Sequence, residues 1–97
     1  MSLEPEYKKK IVGILTVLFP KAKIYLFGSR ARGNHGQKAD IDIAIDEKKE
    51  IVPGRIGEAS DMFAESNIPY KIDIIDLYTA SDIMRELIFK EGILWKS

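Results

Sequence analysis

The sequence predicts an α/β (α+β) domain: a small mixed sheet with helices packed on one face. Three observations predict it. Segments with apolar residues at helical spacing alternate with short apolar or alternating runs, in the order helix, strand, short helix, strand, helix, strand, helix. Pro and Gly fall at the joins between them. The chain has 97 residues, enough for one modest core spanning residues 1–97 and too few for a second. Such a sheet leaves a face or an edge open for a site.

The first helix runs from Glu4 to Phe19, with Tyr7, Ile11, Ile14, Leu15 and Leu18 on one side. Pro5 suits its first turn and Pro20 bars its continuation. Lys8, Lys9 and Lys10 fall on its solvent side. A strand over 23–27 comes next, then a short turn or helix at 29–33 and a polar loop from Gly33 to Lys38. The second strand covers 40–46. A polar connector, Glu47-Lys48-Lys49-Glu50, leads to a helix over 53–66, with Ile56, Ala59, Met62 and Phe63 inward. Gly54 and Gly57 weaken this helix, and Asn67 is expected to end it in the left-handed conformation ahead of Pro69. Tyr70 to Ile75 reads as a third strand. Thr79 or Ser81 caps a last helix carrying Ile83, Met84, Leu87 and Ile88 on one side, and Gly92 ends it. The apolar tail Ile93-Leu94-Trp95 either folds back onto the core or offers a docking edge.

Composition narrows the function. Fifteen basic and fifteen acidic residues cancel, so no overall field attracts nucleic acid or an anionic membrane, and direct nucleic-acid binding is not expected. The absence of Cys rules out disulfides, thiolate zinc sites and a cysteine nucleophile. No apolar run approaches the roughly 18 residues of a bilayer span, and no signal peptide opens the chain. A cytoplasmic protein is the expectation.

The chemistry concentrates between Ile24 and Asp46. A buried-strand run, Ile24-Tyr25-Leu26-Phe27, breaks at Gly28-Ser29. After the loop, alternation sends Ile41, Ile43 and Ile45 to one face and Asp40, Asp42 and Ala44 to the other. Two carboxylates on one face repel each other unless a cation lies between them, and Mg²⁺ takes such oxygen ligands together with substrate phosphates. A third acid, Asp73, sits between isoleucines on the third strand, where an unpaired charge is costly. Asp76 at that strand's end reads as structural. Three carboxylates beside a phosphate-holding turn suit two-metal phosphoryl or nucleotidyl transfer. Asp40, Asp42 and Asp73 are then the metal ligands and catalytic acids, with Gly28 and Ser29 on the triphosphate of an NTP and Arg30 or Arg32 neutralising its charge. His35 lies in the polar loop, and Tyr25 and Tyr70 read as core. Neither a Walker A sequence nor G-x-G-x-x-G is present.

Through FGSRARG at 27–33, ADIDIAI at 39–45 and KIDIID at 71–76, the chain resembles the minimal nucleotidyltransferases of the DNA polymerase β superfamily. The likeness covers nearly the whole chain; Ala39 departs from it, standing where relatives often have Ser. It implies a polymerase β-like fold, triphosphate contacts by Gly28 and Ser29, and metal binding by Asp40, Asp42 and Asp73. It further implies two Mg²⁺ ions, ATP as substrate, and a helical HEPN-type partner encoded by the adjacent gene. In such toxin–antitoxin pairs the nucleotidyltransferase is the antitoxin and attaches AMP to a tyrosine of the toxin (AMPylation). Two rival expectations are a non-catalytic subunit that neutralises its partner by contact and a small-molecule nucleotidyltransferase. The base, the number of nucleotides transferred, and a homo- or hetero-oligomeric state stay open.

Overall fold

The computed structural model describes residues 4–33 and 40–97. Most of the expected polar loop, with His35, Lys38 and Ala39, lies outside them. Helix α1 spans Pro5–Leu18, strand β1 Lys23–Phe27, the one-turn helix α2 Ser29–Arg32, and strand β2 Ile41–Asp46. Helix α3 spans Arg55–Ala64 and strand β3 Ile72–Asp76; a 3-10 turn over Leu77–Thr79 precedes helix α4, Asp82–Glu91, and strand β4, Ile93–Lys96. No helix among the described residues is long and apolar enough to cross a membrane.

The four strands lie in the order β3-β2-β1-β4. β1 is antiparallel to β2 and β4, whereas β2 and β3 run parallel. The expected mixed sheet is thus present, with one strand more than the sequence suggested. The apolar tail folds back: Leu94 faces Tyr25 and Ile93 faces Leu26 across the β1–β4 pair.

Strand alternation builds the main core. Ile24, Leu26, Ile41, Ile43 and Ile45 are fully buried against Ile11 and Leu15 of α1 and against Ala59 and Phe63 of α3. Helix α4 packs elsewhere. Its Ile88 joins Ala44 and Leu77 in a second small cluster, with Tyr25, Phe27 and Ile75 beside it. These strand residues alternate with the main-core isoleucines, so α4 covers part of the opposite face and leaves the Asp42 end of that face open.

Local chemistry explains where the boundaries shift. α3 begins at Arg55 rather than Pro53, because Gly54 takes φ 93° just before it and interrupts helical geometry. It ends earlier than expected, and Asn67 does not take the left-handed conformation. Instead the Ser66 hydroxyl donates to the Phe63 carbonyl at 2.6 Å and accepts from the Ile68 amide at 3.4 Å, which turns the chain. Ser81, not Thr79, caps α4, its hydroxyl accepting the Met84 amide at 3.1 Å. Met62 and Ile83 are exposed rather than inward, at 39% and 82%. In the first turn of α4 it is Met84, not Ile83, that packs against the second cluster.

The α4–β4 junction is tight. The Gly92 amide donates to the Ile88 carbonyl at 2.8 Å. A Cβ on Gly92 would collide with that carbonyl oxygen and lie 3.2 Å from the Leu26 carbonyl oxygen of β1. Two backbone groups cannot yield as a flexible side chain would. Gly92→Ala is therefore expected to lower the unfolding free energy by about 1–3 kcal/mol, measured by urea titration of wild type and variant.

Candidate active site

The site forms where three strand ends meet. β1 ends at Phe27, which pairs with Asp42 of β2, and Asp42 in turn pairs with Asp73 of the parallel β3. Because partners in register point to the same face, both carboxylates rise from the face opposite the main core. Asp40, two residues before Asp42, is exposed just ahead of that strand, which begins at Ile41 rather than at Asp40.

Gly28 follows β1 with φ 78° and ψ −159°, a region that only glycine occupies readily. A Cβ there would run into the Asp42 carboxylate, with Cγ 3.1 Å away. The turn backbone thus lies directly against the acid. Ser29 opens α2, whose single turn is closed by Arg32 N–H donating to the Gly28 carbonyl at 3.2 Å and by Gly33 in the left-handed conformation.

The electrostatics reflect this crowding. Burial pushes the Asp42 carboxyl above the ordinary aspartate value; Asp73 and then Asp40 push it further, while Arg32 opposes them. Asp73 lies 3.7 Å from Lys71 Nζ, an exposed pairing that contributes little stability. Among the described residues no three acidic or histidine side chains converge closely enough to enclose a metal ion. The donor set nevertheless suits a hard cation: every candidate ligand is a carboxylate, and Asp42 is destabilised by the neighbours a cation would neutralise.

The second acid of β3 is engaged elsewhere. Asp76 accepts the Ile51 amide at 2.9 Å and the Tyr78 amide at 3.0 Å, the structural role expected of it. The two arginines of α2 also part. Arg32, half-exposed, lies 3.7 Å from Glu91 of α4 and within electrostatic reach of Asp42. Arg30 is only 3% exposed, its guanidinium 4.4 Å from the centroid of the Tyr70 ring. Spacing along the chain carried no signal of that contact.

Comparison with known proteins places this geometry. Residues 9–97 match the family "Polymerase beta, Nucleotidyltransferase". The chain belongs to that family and is a nucleotidyltransferase domain. It is 35% identical over 80 residues to "Probable protein adenylyltransferase MntA" of Haemophilus influenzae, covering 79% of this chain and 68% of that protein. Its fold superposes on a crystal structure of a toxin–antitoxin with AMP-PNP at a TM-score of 0.79 and 29% identity, covering 91% of this chain and 71% of the other. A structure of a tri-AMPylated Shewanella oneidensis HEPN toxin in complex with an MNT antitoxin matches at a TM-score of 0.75 and 27% identity, over 98% of this chain and 71% of the other.

The raised Asp42 carboxyl has a sign that can be measured. Its proton is held more tightly in the folded than in the unfolded chain, so ionisation opposes folding. Metal-free stability should fall as pH rises from the ordinary aspartate value through the raised folded value. Asp42→Asn removes that cost. Thermal unfolding in a chelator should show the variant more stable than wild type at neutral pH, with the gap closing as pH falls towards the ordinary aspartate value of about 4.

Proposed function

We propose that the chain transfers AMP from ATP to a hydroxyl of a protein partner, a tyrosine of a HEPN-type toxin, and thereby acts as an antitoxin. The observation that carries this reading is the register of Asp42 with Asp73, directly beside the Gly28–Ser29 turn. It brings the groups that would meet a nucleotide to one end of one sheet face. The adenylyltransferase description of the Haemophilus influenzae relative and the AMPylated toxin in the Shewanella oneidensis complex support the acceptor class.

In this reading the Gly28–Ser29 turn and Arg32 bind the β- and γ-phosphates, and Gly28 lets the backbone approach without a side chain in the way. Asp40, Asp42 and Asp73 would hold two Mg²⁺ ions, which supply charge neutralisation on the triphosphate and a lowered pKa at the attacking hydroxyl. Asp73 lies on the edge strand β3. The acceptor oxygen forms a bond to the α-phosphorus in line with the bridge to the β-phosphate. That bridge breaks, pyrophosphate leaves, and the hydroxyl proton is lost. The partner supplies the hydroxyl and holds it near the phosphorus, because unanchored encounter forfeits most of the rate.

Purified protein with Mg²⁺ and ATP is expected to be nearly inert until a HEPN-type protein from the adjacent gene is added. Intact mass spectrometry should then show that partner heavier by one AMP or a short multiple. Asp42→Asn should cut transfer by on the order of a thousandfold or more, several kcal/mol of lost charge stabilisation. Ser29→Ala should act more mildly, losing roughly tenfold to a hundredfold with one hydrogen bond of about 1–3 kcal/mol. A partner of unchanged mass that the Asp42→Asn protein still neutralises would replace catalysis with simple binding.

A further inference from the structure

A one-turn helix does not hold its own position. α2 has four residues, and single turns are unstable without tertiary support. Yet a phosphate-holding turn must keep a fixed distance from the acids it serves. Ala31 of α2 packs against the main core, and Arg30 is buried beneath the turn. A buried guanidinium needs compensation, and the face of Tyr70, 4.4 Å from it, is one contributor.

Tyr70 is itself braced. The Tyr7 ring of α1 meets it edge-on, with centroids 5.7 Å apart and planes at 89°. Its hydroxyl lies 3.4 Å from both carboxylate oxygens of Glu4. Tyr70 immediately precedes Lys71, whose carbonyl accepts the Ile41 amide at 2.9 Å at the start of β2, and Lys71 precedes the strand carrying Asp73. In the sheet, β2 separates β1 from β3. The Arg30–Tyr70 contact therefore reaches past the Asp42 end of β2 and ties the turn after β1 to the segment leading into β3.

We propose that Arg30 and Tyr70 are positioning residues: their cation–π contact clasps the Gly28–Ser29 turn to the lead-in of β3 and sets the spacing between the phosphate-holding turn and Asp73. This inference rests on the nucleotidyl-transfer reading for its consequence, though not for the clasp itself. It assigns Arg30 to the scaffold and leaves Arg32 as the arginine of α2 that meets the triphosphate.

Two readouts separate clasp from consequence. Hydrogen exchange without nucleotide reports the order of α2 through the Arg32 and Gly33 amides. Tyr70→Leu should speed their exchange about tenfold, the loss of one desolvated cation–π contact, while core amides such as Ile43 keep their protection. Tyr70→Phe retains the ring and should restore wild-type exchange. Arg30→Lys keeps the charge but replaces the broad guanidinium with a smaller ammonium, and should loosen α2 in the same direction even if Tyr70→Leu fails to fold. Calorimetry with Mg²⁺–ATP and with AMP then reads the consequence: Tyr70→Leu and Arg30→Lys should weaken ATP about tenfold and AMP much less. Unchanged exchange at Arg32 and Gly33 in Arg30→Lys would overturn the clasp. Weakened ATP binding in Arg30→Lys with wild-type binding in a folded Tyr70→Leu would also overturn it, placing Arg30 on the phosphates. If wild type fails to bind Mg²⁺–ATP, the nucleotidyl-transfer reading falls, while exchange still decides the clasp.

Discussion

Parallel pairing of β2 with β3 sets Asp42 beside Asp73 on the face opposite the main core. Burial first, and then the neighbouring Asp73 and Asp40 charges, oppose ionisation of Asp42 in the folded chain. The fully buried isoleucines of β2 hold the strand in that register against the repulsion, because a slip of one residue would turn all of them outward. The hydrophobic face thus sustains an electrostatic arrangement that is unfavourable by itself. Such tension is commonly found where a charged ligand will relieve it.

The surrounding elements fit around that constraint. Gly28 brings the turn backbone against Asp42, where any side chain would displace the carboxylate. α4 occupies only the Ala44 part of the same face and reaches the site's edge through Glu91, which faces Arg32. Tyr7 meets Tyr70 edge-on and the Arg30 guanidinium lies over the Tyr70 ring, so these side chains join α1, the β3 lead-in and α2. The site is therefore assembled from short, weakly structured pieces fastened to a sheet that is itself well packed.

Much of this was legible in the sequence because the signals are local. Alternation in Asp40–Asp46 identified both the buried isoleucines and the acidic face, and Asp76 was separable from Asp73 by its place at the strand end. What escaped is long-range. Ile93-Leu94-Trp95 is too short to show a strand period, and only the Gly92 close approach to Leu26 reveals why the chain doubles back there. Arg30 and Arg32 look alike in a short motif; burial against a tyrosine forty positions away divides them. Tyr70 read as core, which its partly buried ring satisfies, but nothing in its spacing pointed to a guanidinium. The opposite placement of α4 also came from packing at Ala44, a residue with no strong preference of its own.

The central claim is that the clustered carboxylates require a cation before a nucleotide can bind beside them. Isothermal titration of ATP into the protein, with Mg²⁺ and with chelator, tests it most directly. The account predicts measurable binding with Mg²⁺ and little or none without it, since the triphosphate would otherwise add negative charge beside Asp42. Equal affinity in the two conditions would contradict it.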